Sequence, residues 1–314
     1  MSVASQEGLE GGELDPLFHR DLVESVPIVG GRIACYLTAE AERLAGASGI
    51  PEPGITVAVR TKNEAAALQD LCEDLEQQDF TGPVELVVVD DNSVDGTDKV
   101  AKRHNAVVRK IERNRFTYPR SMNLAMEAAS YDTVFLTVGH VRLVSNGLLR
   151  AASQRLAEDG VAGAYSRILP NDNASTIEKL VAMGMTPHFS RARKVKRVGL
   201  GVMAARNAAI SKQVWSELGG FDERYETGGE DMILARGMLD AGYSIIEDPA
   251  LSVHHSHGDK PLEHVLAALN FLRIRYIGPQ AIDREALPSR KPHLDFGNLP
   301  DLSIEPLADQ EQLA

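Results

Sequence analysis

The chain has 314 residues, with 33 Lys or Arg against 45 Asp or Glu, so its formal net charge is −12 at pH 7. This length suits one large α/β domain or two small ones, and the 43% hydrophobic content excludes wholesale disorder. Such an acidic protein is not expected to bind the phosphate backbone of a nucleic acid or an anionic lipid surface. Any anionic ligand must therefore meet a local group of cations.

The cysteine content and the N-terminus indicate the compartment. Cys35 and Cys72 are too few for a disulfide framework and, alone, for a zinc site, which is typical of a reduced protein. The acidic N-terminus lacks a basic and apolar signal segment, and no run of about 18 apolar residues is present. We therefore expect a cytoplasmic protein without an integral membrane segment.

The first half of the chain predicts an α/β fold. Residues 1–53 form an N-terminal extension, with loose helical patterning at 14–44 and a weak strand at Ile33–Leu37. Four β-rich runs then alternate with helical stretches, which indicates a mostly parallel sheet with helices on both faces. These runs are Ile55–Val59, Leu86–Val89, Val107–Val108 and Val134–Val138. Ligands of such sheets bind beyond the carboxyl ends of the strands, so polar residues there are candidate site residues.

The second half continues this pattern and then changes character. The predicted elements are a strand at Gly199–Arg206, helices at Ser211–Leu218 and Glu230–Ala241, and a strand at Ser244–Glu247. Gly242 is predicted to end the second of these helices. Residues 259–314 are expected to form an amphipathic helix over 261–277 and a mobile, Pro-rich, acidic tail beyond about Ile282. The N-terminal extension and this helix are candidate surfaces for a homodimer.

Two adjacent carboxylates follow the second predicted strand. Asp90 and Asp91 precede an Asx/Gly turn at 92–97 that leads into a helix. A helix cap explains one or two of these residues but not the carboxylate pair. With the segment 59–64, they resemble the nucleotide-binding half of inverting family 2 glycosyltransferases of the GT-A fold. The patterns of that family run roughly V-P-T-Y-N-E and V-D-D-x-S-x-D-G-T.

This resemblance implies a nucleotide-sugar donor. It implies that Asp91 contacts the base of the nucleotide. The other residues implied to line the same pocket are Thr61, Asn63, Glu64 and Asp90. The sequence departs from the family at Arg60 and Lys62, where Pro and Tyr are usual, and two cations near a phosphate site suit the same chemistry.

A third segment, Phe116–Asn123, resembles the F-x-Y-G-x-A-x-N element of the family and places Asn123 in the site. It opens a helix, and Pro119 is typical of the first helical position. One interpretation sets Arg115 or Arg120 near the diphosphate, where the helix N-terminus also favours an anion. A solvated arginine is the alternative for either one.

The metal-binding position departs from the family. Glycosyltransferases of this fold usually carry Asp-x-Asp to hold a divalent cation, and this chain has Val138 and His140 there. The family pattern P-x-A-x-V-x-H-x-H aligns with His255 and His257, the first of which can ligate metal. His140, His255 and His257 are therefore the candidate ligands, and imidazole favours Mn²⁺ over Mg²⁺. The alternative is that His140 only hydrogen-bonds a phosphate or the core.

The most specific signal is the segment 219–223, GGFDE, followed by 228–231, GGED. It resembles the G-G-F-D-E…E-D element of the family, which assigns the general base to Asp231, with Glu230 beside it. A hydroxyl acceptor has a very high pKa, so a carboxylate must take its proton in the transition state. We expect the helix N-terminus to lower the pKa of Asp231. The alternative is two ordinary first-turn acids.

A basic run precedes the acceptor-side strand. It could close over the donor diphosphate, recruit an anionic acceptor, or simply be solvated. Its members are Arg191, Arg193, Lys194, Lys196 and Arg197.

The resemblance covers about residues 55–258 and implies one GT-A domain at 54–258, with a nucleotide half to about residue 140. It implies inverting transfer of a sugar from a nucleoside-diphosphate donor to an acceptor nucleophile. Two alternatives stay open: a non-catalytic nucleotide- or glycan-binding relative with a degenerate metal motif, and a sugar-phosphate nucleotidyltransferase. The latter normally shows a Gly-rich loop after the first strand, which is absent at 61–64. The sequence does not predict the donor sugar, nucleobase or acceptor.

Overall fold

The computed structural model describes residues 23–28, 32–37, 52–166, 168–171, 174, 192–198, 201–226, 228–256, 269–270, 273–274 and 278–282. Within the N-terminal extension, β1 (Val23–Ile28) and β2 (Arg32–Leu37) form an antiparallel hairpin. The strand predicted at Ile33–Leu37 is confirmed. The helical patterning around it is wrong for Val23–Ile28, where the β-branched residues Val and Ile favour a strand.

The next elements alternate strand and helix, as predicted. They are β3 (Ile55–Thr61), α1 (Ala65–Glu76), β4 (Val84–Asp90), α2 (Thr97–Arg103), β5 (Val107–Lys110), α3 (Tyr118–Ala128) and β6 (Thr133–Val138). Strand β3 pairs in parallel with β4 and with β6, and β4 pairs in parallel with β5. The carboxyl ends of these strands therefore lie at one edge of the sheet.

Within the described residues up to 256, the second half adds shorter strands and three helices. Its elements are β7 (Val141–Leu143), α4 (Leu148–Leu156), β8 (Val161–Tyr165), β9 (Ile168–Leu169), β10 (Arg193–Lys194), β11 (Asn207–Ser211), α5 (Lys212–Glu217), α6 (Glu230–Asp240), β12 (Ser244–Glu247), a 3-10 turn (Pro249–Leu251) and β13 (Val253–His255). The predicted helices at 211–218 and 230–241 and the strand at 244–247 are confirmed. Gly242 takes the left-handed conformation expected of a C-terminal glycine, at φ +88°.

One sheet organises these elements. Its strand order is β10-β12-β8-β11-β6-β3-β4-β5, and a second sheet has the order β7-β13-β9. Helices α3, α5 and α6 pack on one face through Met122, Trp215 and Leu234, whereas α1 and α4 pack on the other through Leu68 and Leu148. The predicted α/β fold, with a mostly parallel sheet and helices on both faces, is confirmed.

The strand predicted at Gly199–Arg206 is wrong in position. The strand is β11, which begins at Asn207, and the described residues 201–206 form turns. Gly201 and Met203 have φ values of +81° and +58°, in the left-handed region that an extended strand excludes. Most of the helix predicted over 261–277, and the tail beyond Ile282, lie outside the described residues. Within the described ranges, no helix has the length and apolar character needed to cross a bilayer.

Candidate functional site

Backbone hydrogen bonds join the segments that follow β3, β4 and β6. The Asp91 amide donates to the Thr61 carbonyl at 3.0 Å, and the Gly139 amide donates to the Arg60 carbonyl at 3.0 Å. Each bond continues a parallel ladder beyond the last paired residues. The predicted strand-end residues are therefore neighbours at one edge of the sheet.

The loops after β3 and β4 are interlocked by side chains. Asn63, at φ +54°, accepts the Val94 amide at its Oδ1 (2.9 Å), and its own amide donates to Ser93 Oγ (2.8 Å). The Glu64 amide donates to Thr97 Oγ1 (3.0 Å). The side chains of the D-x-S-x-D-G-T pattern thus hold the neighbouring loop in place, a use that the cap interpretation did not include.

The carboxylate pair after β4 is divided between two environments. Asp90 is fully buried; its Oδ1 accepts the Ser93 amide at 3.1 Å, and its Oδ2 has no hydrogen-bond partner among the described residues. Asp91 Oδ2 lies 3.0 Å from Lys62 Nζ, and the Lys62 side chain is 44% exposed. Lys62, which stands where the family usually has Tyr, is therefore ion-paired with Asp91, the residue that the resemblance assigns to the nucleobase.

A carboxylate and two histidines form a chain of contacts beside this loop. Glu64 Oε1 lies 2.5 Å from His140 Nδ1, and Glu64 Oε2 accepts the Thr61 hydroxyl at 2.8 Å. His140 Nε2 lies 2.9 Å from His255 Nε2. Strand β13 brings His255 here because it pairs antiparallel with β7, placing His255 opposite Val141. Glu64 therefore fixes the ring of His140 and directs its Nε2 toward His255.

Gly139 makes this contact chain possible. A Cβ at this position would lie 2.5 Å from Glu64 Oε2 and 2.6 Å from Thr61 Oγ1. Both distances are shorter than a van der Waals contact, so a larger residue would displace Glu64 from His140. Glycine between Val138 and His140 therefore leaves room for the contact between Glu64 and His140.

The side chains at this position supply part of the ligands that a divalent cation needs. Two imidazole nitrogens converge, but the described ranges contain no group of three or more His, Cys, Asp or Glu side chains arranged to hold a metal. His257, the third predicted ligand, lies outside the described residues. Protein ligands from His140 and His255 would leave the remaining positions to oxygens of a bound diphosphate.

Arg60 connects this edge of the sheet to the acidic pair on α6. Its guanidinium carbon lies 4.6 Å from the ring centroid of Tyr118 and 6.0 Å from that of Phe116, a cation–π arrangement. Its charge also interacts favourably with Glu230 and Asp231. The segment Phe116–Asn123 thus enters the site by orienting Arg60.

Burial changes the acidity of the pair. Glu230 is buried, and desolvation, together with the Asp231 charge, raises its pKa to about 8. Desolvation also raises the pKa of Asp231 to about 6, whereas the Met232 amide, at 2.7 Å, and the cations Arg206 and Arg60 act in the opposite direction. The expected lowering of the Asp231 pKa is therefore wrong: removal from water outweighs the helix N-terminus.

Arg206 is a site residue that the sequence did not reveal. Burial lowers the pKa of its guanidinium, and its strongest favourable charge interaction is with Asp231. The turn before β11 holds it there, since the Thr137 hydroxyl donates to the Arg206 carbonyl at 2.9 Å. A single arginine after small residues carries no motif, so only the fold shows its position.

Three of the other predicted cations pair with carboxylates outside the proposed site. Arg115 pairs with Glu112 at 3.0 Å on the surface, and Arg120 pairs with Glu223 at 3.2 Å. In the basic run, Arg193 pairs with Glu247 at 2.6 Å. The described Lys194, Lys196 and Arg197 are exposed, and Arg191 lies outside the described residues. Diphosphate contacts by these side chains stay predictions.

Asn123 holds the GGFDE loop against α3. Its amide donates to the Phe221 carbonyl at 2.9 Å, and its Oδ1 accepts the Phe221 amide at 2.8 Å and the Trp215 indole N–H at 3.3 Å. The structure thus gives Asn123 a positioning role that the sequence did not predict, and its nucleotide contact stays a prediction.

Comparisons with known proteins agree with this architecture. The family model described as "Glycosyl transferase family 2" matches residues 56–218, over half of the chain, and the chain belongs to this family. The O-antigen chain rhamnosyltransferase WbaN of Salmonella anatum is 27% identical over 216 residues, covering 67% of this chain and 68% of that protein. RfbN of Salmonella typhimurium (strain LT2), also an O-antigen chain rhamnosyltransferase, is 25% identical over 219 residues, with the same coverages.

Solved structures support the same fold. The mannosyltransferase PcManGT from Pyrobaculum calidifontis, in complex with GDP-Man and Mn²⁺, has a TM-score of 0.51 and 20% identity, over 71% of this chain and 65% of that one. TarS 1-349 of S. aureus in complex with UDP-GlcNAc has a TM-score of 0.50 and 18% identity, over 67% and 59%. The chain thus spans less than two thirds of either structure. It has the GT-A fold and is a glycosyltransferase.

Replacing Asn123 with Ala should loosen the GGFDE loop. The Phe221 amide and the Trp215 indole would lose their acceptor, at a cost of about 1–3 kcal/mol in the free energy of unfolding. Trp215 is the single tryptophan of the chain, so its fluorescence reports on this loop directly. We expect a red shift of its emission maximum. Urea denaturation followed by fluorescence measures both quantities. Replacing the exposed Asn146 with Ala is the matched control, and equal stability of the two variants would contradict the role of Asn123.

Proposed function

We propose that the protein transfers a sugar from a nucleoside-diphosphate donor to an acceptor hydroxyl or similar nucleophile, with inversion at the anomeric carbon. The observation that supports this most is the position of Arg60 between the two halves of the site. Its carbonyl accepts the amide next to His140, and its guanidinium interacts with Asp231. A donor held by the strand ends would thus lie beside a carboxylate that can act as a base.

Asp231 is the proposed general base. Its pKa of about 6 leaves it mostly ionised at neutral pH and makes it a stronger base than an ordinary aspartate. The acceptor oxygen bonds to the anomeric carbon as its proton moves to Asp231, and the bond from that carbon to the diphosphate oxygen breaks. Glu230, with the higher pKa, keeps its proton, so the pair carries one negative charge at this stage.

The opposite side of the site would receive the leaving diphosphate. Lys62 lies at the edge of this part of the site, where its Nζ is 3.0 Å from Oδ2 of Asp91, the proposed contact of the nucleobase. His140 and His255 would hold a divalent cation, which would neutralise the charge that develops on the departing phosphate. The likeness to PcManGT, whose structure is in complex with Mn²⁺, supports Mn²⁺ as the first ion to test.

The two O-antigen chain rhamnosyltransferases make a nucleoside-diphosphate rhamnose the first donor to test. GDP-Man and UDP-GlcNAc, which are bound in the structures of PcManGT and TarS 1-349, are the next candidates. A non-catalytic nucleotide-binding relative is the alternative, because Val138 and His140 stand where Asp-x-Asp is usual. Such a protein would bind the nucleotide without cleaving or transferring the sugar.

A panel of uridine, guanosine and thymidine diphosphates should raise the melting temperature, with a larger rise in Mn²⁺ than in EDTA. A ligand that binds only the folded state at 100 times its Kd stabilises it by about 2.7 kcal/mol. Differential scanning fluorimetry measures the rise, and Asp91→Asn should reduce the difference between nucleobases. A flat panel under all conditions would reject the donor class. Binding without release of sugar from any of the three candidate donors would favour the non-catalytic alternative.

Replacing Asp231 with Asn should lower the turnover number about 10²- to 10⁴-fold, the usual contribution of a general base, with donor affinity nearly unchanged. Asn keeps an oxygen that can accept the Met232 amide, so the turn should hold its shape. Steady-state kinetics and donor titration measure the two effects. Asp240→Asn, an exposed acid at the other end of α6, is the control. Unchanged turnover in Asp231→Asn would remove Asp231 as the base.

The pH dependence tests the electrostatics of the base. Transfer requires ionised Asp231, so the rate should fall as the pH falls through about 6. Arg206 favours the ionised form, so Arg206→Gln should raise the pKa and move the acidic limb to higher pH by roughly one unit. Profiles of kcat from pH 4.5 to 8.5 measure the acidic limb. The control is Arg236→Gln, which removes an exposed cation from α6, the helix that carries Asp231. A limb that stays in place in Arg206→Gln would contradict the assignment.

A further inference from the structure

The described C-terminal residues lie directly on the turn that carries the proposed base. We call residues 273–274 and 278–282 the C-terminal brace. A Cβ added to Gly229 would lie 2.4 Å from Pro279 Cβ, and one added to Gly228 would lie 3.5 Å from Ile274 Cδ1. The Ile282 amide donates to the Arg224 carbonyl at 2.7 Å. The brace therefore contacts the loop between the GGFDE segment and α6 at three points.

The turn itself has little intrinsic rigidity. Gly228 and Gly229 have φ values of +117° and +99°, and Gly229 precedes α6 without a side-chain cap. Glycine has the largest conformational freedom of any residue, so two in succession hold a helix start only if other contacts fix them. The position of the adjacent Asp231 therefore depends on what packs against these glycines.

The brace has the internal contacts of an ordered element. The Gly278 amide donates to the Ile274 carbonyl at 3.0 Å, and Gly278 is left-handed, at φ +94°. Arg273 donates to Gln280 Oε1 at 3.0 Å and to Asn270 Oδ1 at 3.1 Å, which ties the two parts of the brace together. Ile274 and Ile282 are 4% and 9% exposed. Pro279 follows the reversal at Gly278, and its fixed φ limits the movement of its ring over Gly229.

We propose that Pro279 is a positioning residue for Asp231 and that the C-terminal brace completes the catalytic site. The inference rests on the proposed function, in which Asp231 is the base. A general base must lie within hydrogen-bond reach of the acceptor proton, and a displacement of about 1 Å can cost about 10²-fold in rate. The catalytic unit then extends beyond residue 258, the boundary expected from the sequence, and beyond the family match, which ends at 218.

The test compares three variants of the full chain. Pro279→Gly removes the proline ring that packs against Gly229, whereas Pro279→Ala keeps the Cβ atom that lies nearest to Gly229. Pro53→Gly removes an exposed proline that precedes β3, at the end of the strand away from the site. We expect Pro279→Gly to lower kcat by about 10- to 100-fold with an unchanged KM for the donor. Pro279→Ala should recover most of that loss, and Pro53→Gly should match the wild type. An unchanged kcat in Pro279→Gly would overturn the positioning role.

Hydrogen–deuterium exchange tests the brace without relying on transfer. The amides of residues 228–232 should exchange faster in Pro279→Gly than in Pro279→Ala and the wild type, when all are measured below their melting temperatures. Equal exchange in the three proteins would overturn the brace even if kcat changed. If the wild type transfers no sugar, the proposed function fails, and the exchange rates still decide whether Pro279 holds the turn.

Discussion

The site depends on the balance between two adjacent carboxyls at the start of α6 and two cations, Arg60 near the end of β3 and Arg206 just before β11. Glu230 is buried and Asp231 is half-buried, and unpaired charges are costly away from bulk water. Arg60 and Arg206 offset that cost and keep one of the two carboxyls ionised. Arg60 is fixed in turn by its backbone pairing in β3 and by the Tyr118 ring, 4.6 Å from its guanidinium. The charge state of two carboxyls on α6 thus depends in part on a residue of β3.

In the proposed function, a chain with a net charge of −12 must hold a diphosphate at this edge of the sheet. At the carboxyl end of β3, Arg60 and Lys62 occupy positions that are uncharged in the family patterns. The same edge carries His140, oriented by Glu64 and in contact with His255. In the proposed function, the leaving diphosphate would lie beside these cations and imidazoles, and Asp231 on α6 would take the proton of the acceptor. This separation of roles would match direct displacement at a single carbon.

The sequence predicted the features that local patterns encode. The alternation of strands and helices through β6, the helix beginning at Glu230 and the strand at 244–247 all follow from periodicity and from Gly punctuation. What it could not predict depends on contacts between distant segments. The sign of the Asp231 pKa shift was wrong because a helix N-terminus is visible in sequence, whereas burial is not. Arg206 carried no motif, and the contact of Pro279 with Gly229 joins residues fifty positions apart in the chain.

A crystal structure of the protein with a nucleoside diphosphate and Mn²⁺ tests the central claim most directly. We expect the nucleobase to contact Asp91, and the diphosphate to lie beside His140 and His255. The side chain of Asp231 should face the β-phosphate across a gap wide enough for one sugar ring. A nucleotide bound away from the carboxyl ends of β3 and β4, or an Asp231 side chain directed into a different cavity, would contradict the assignment of donor and base to one site.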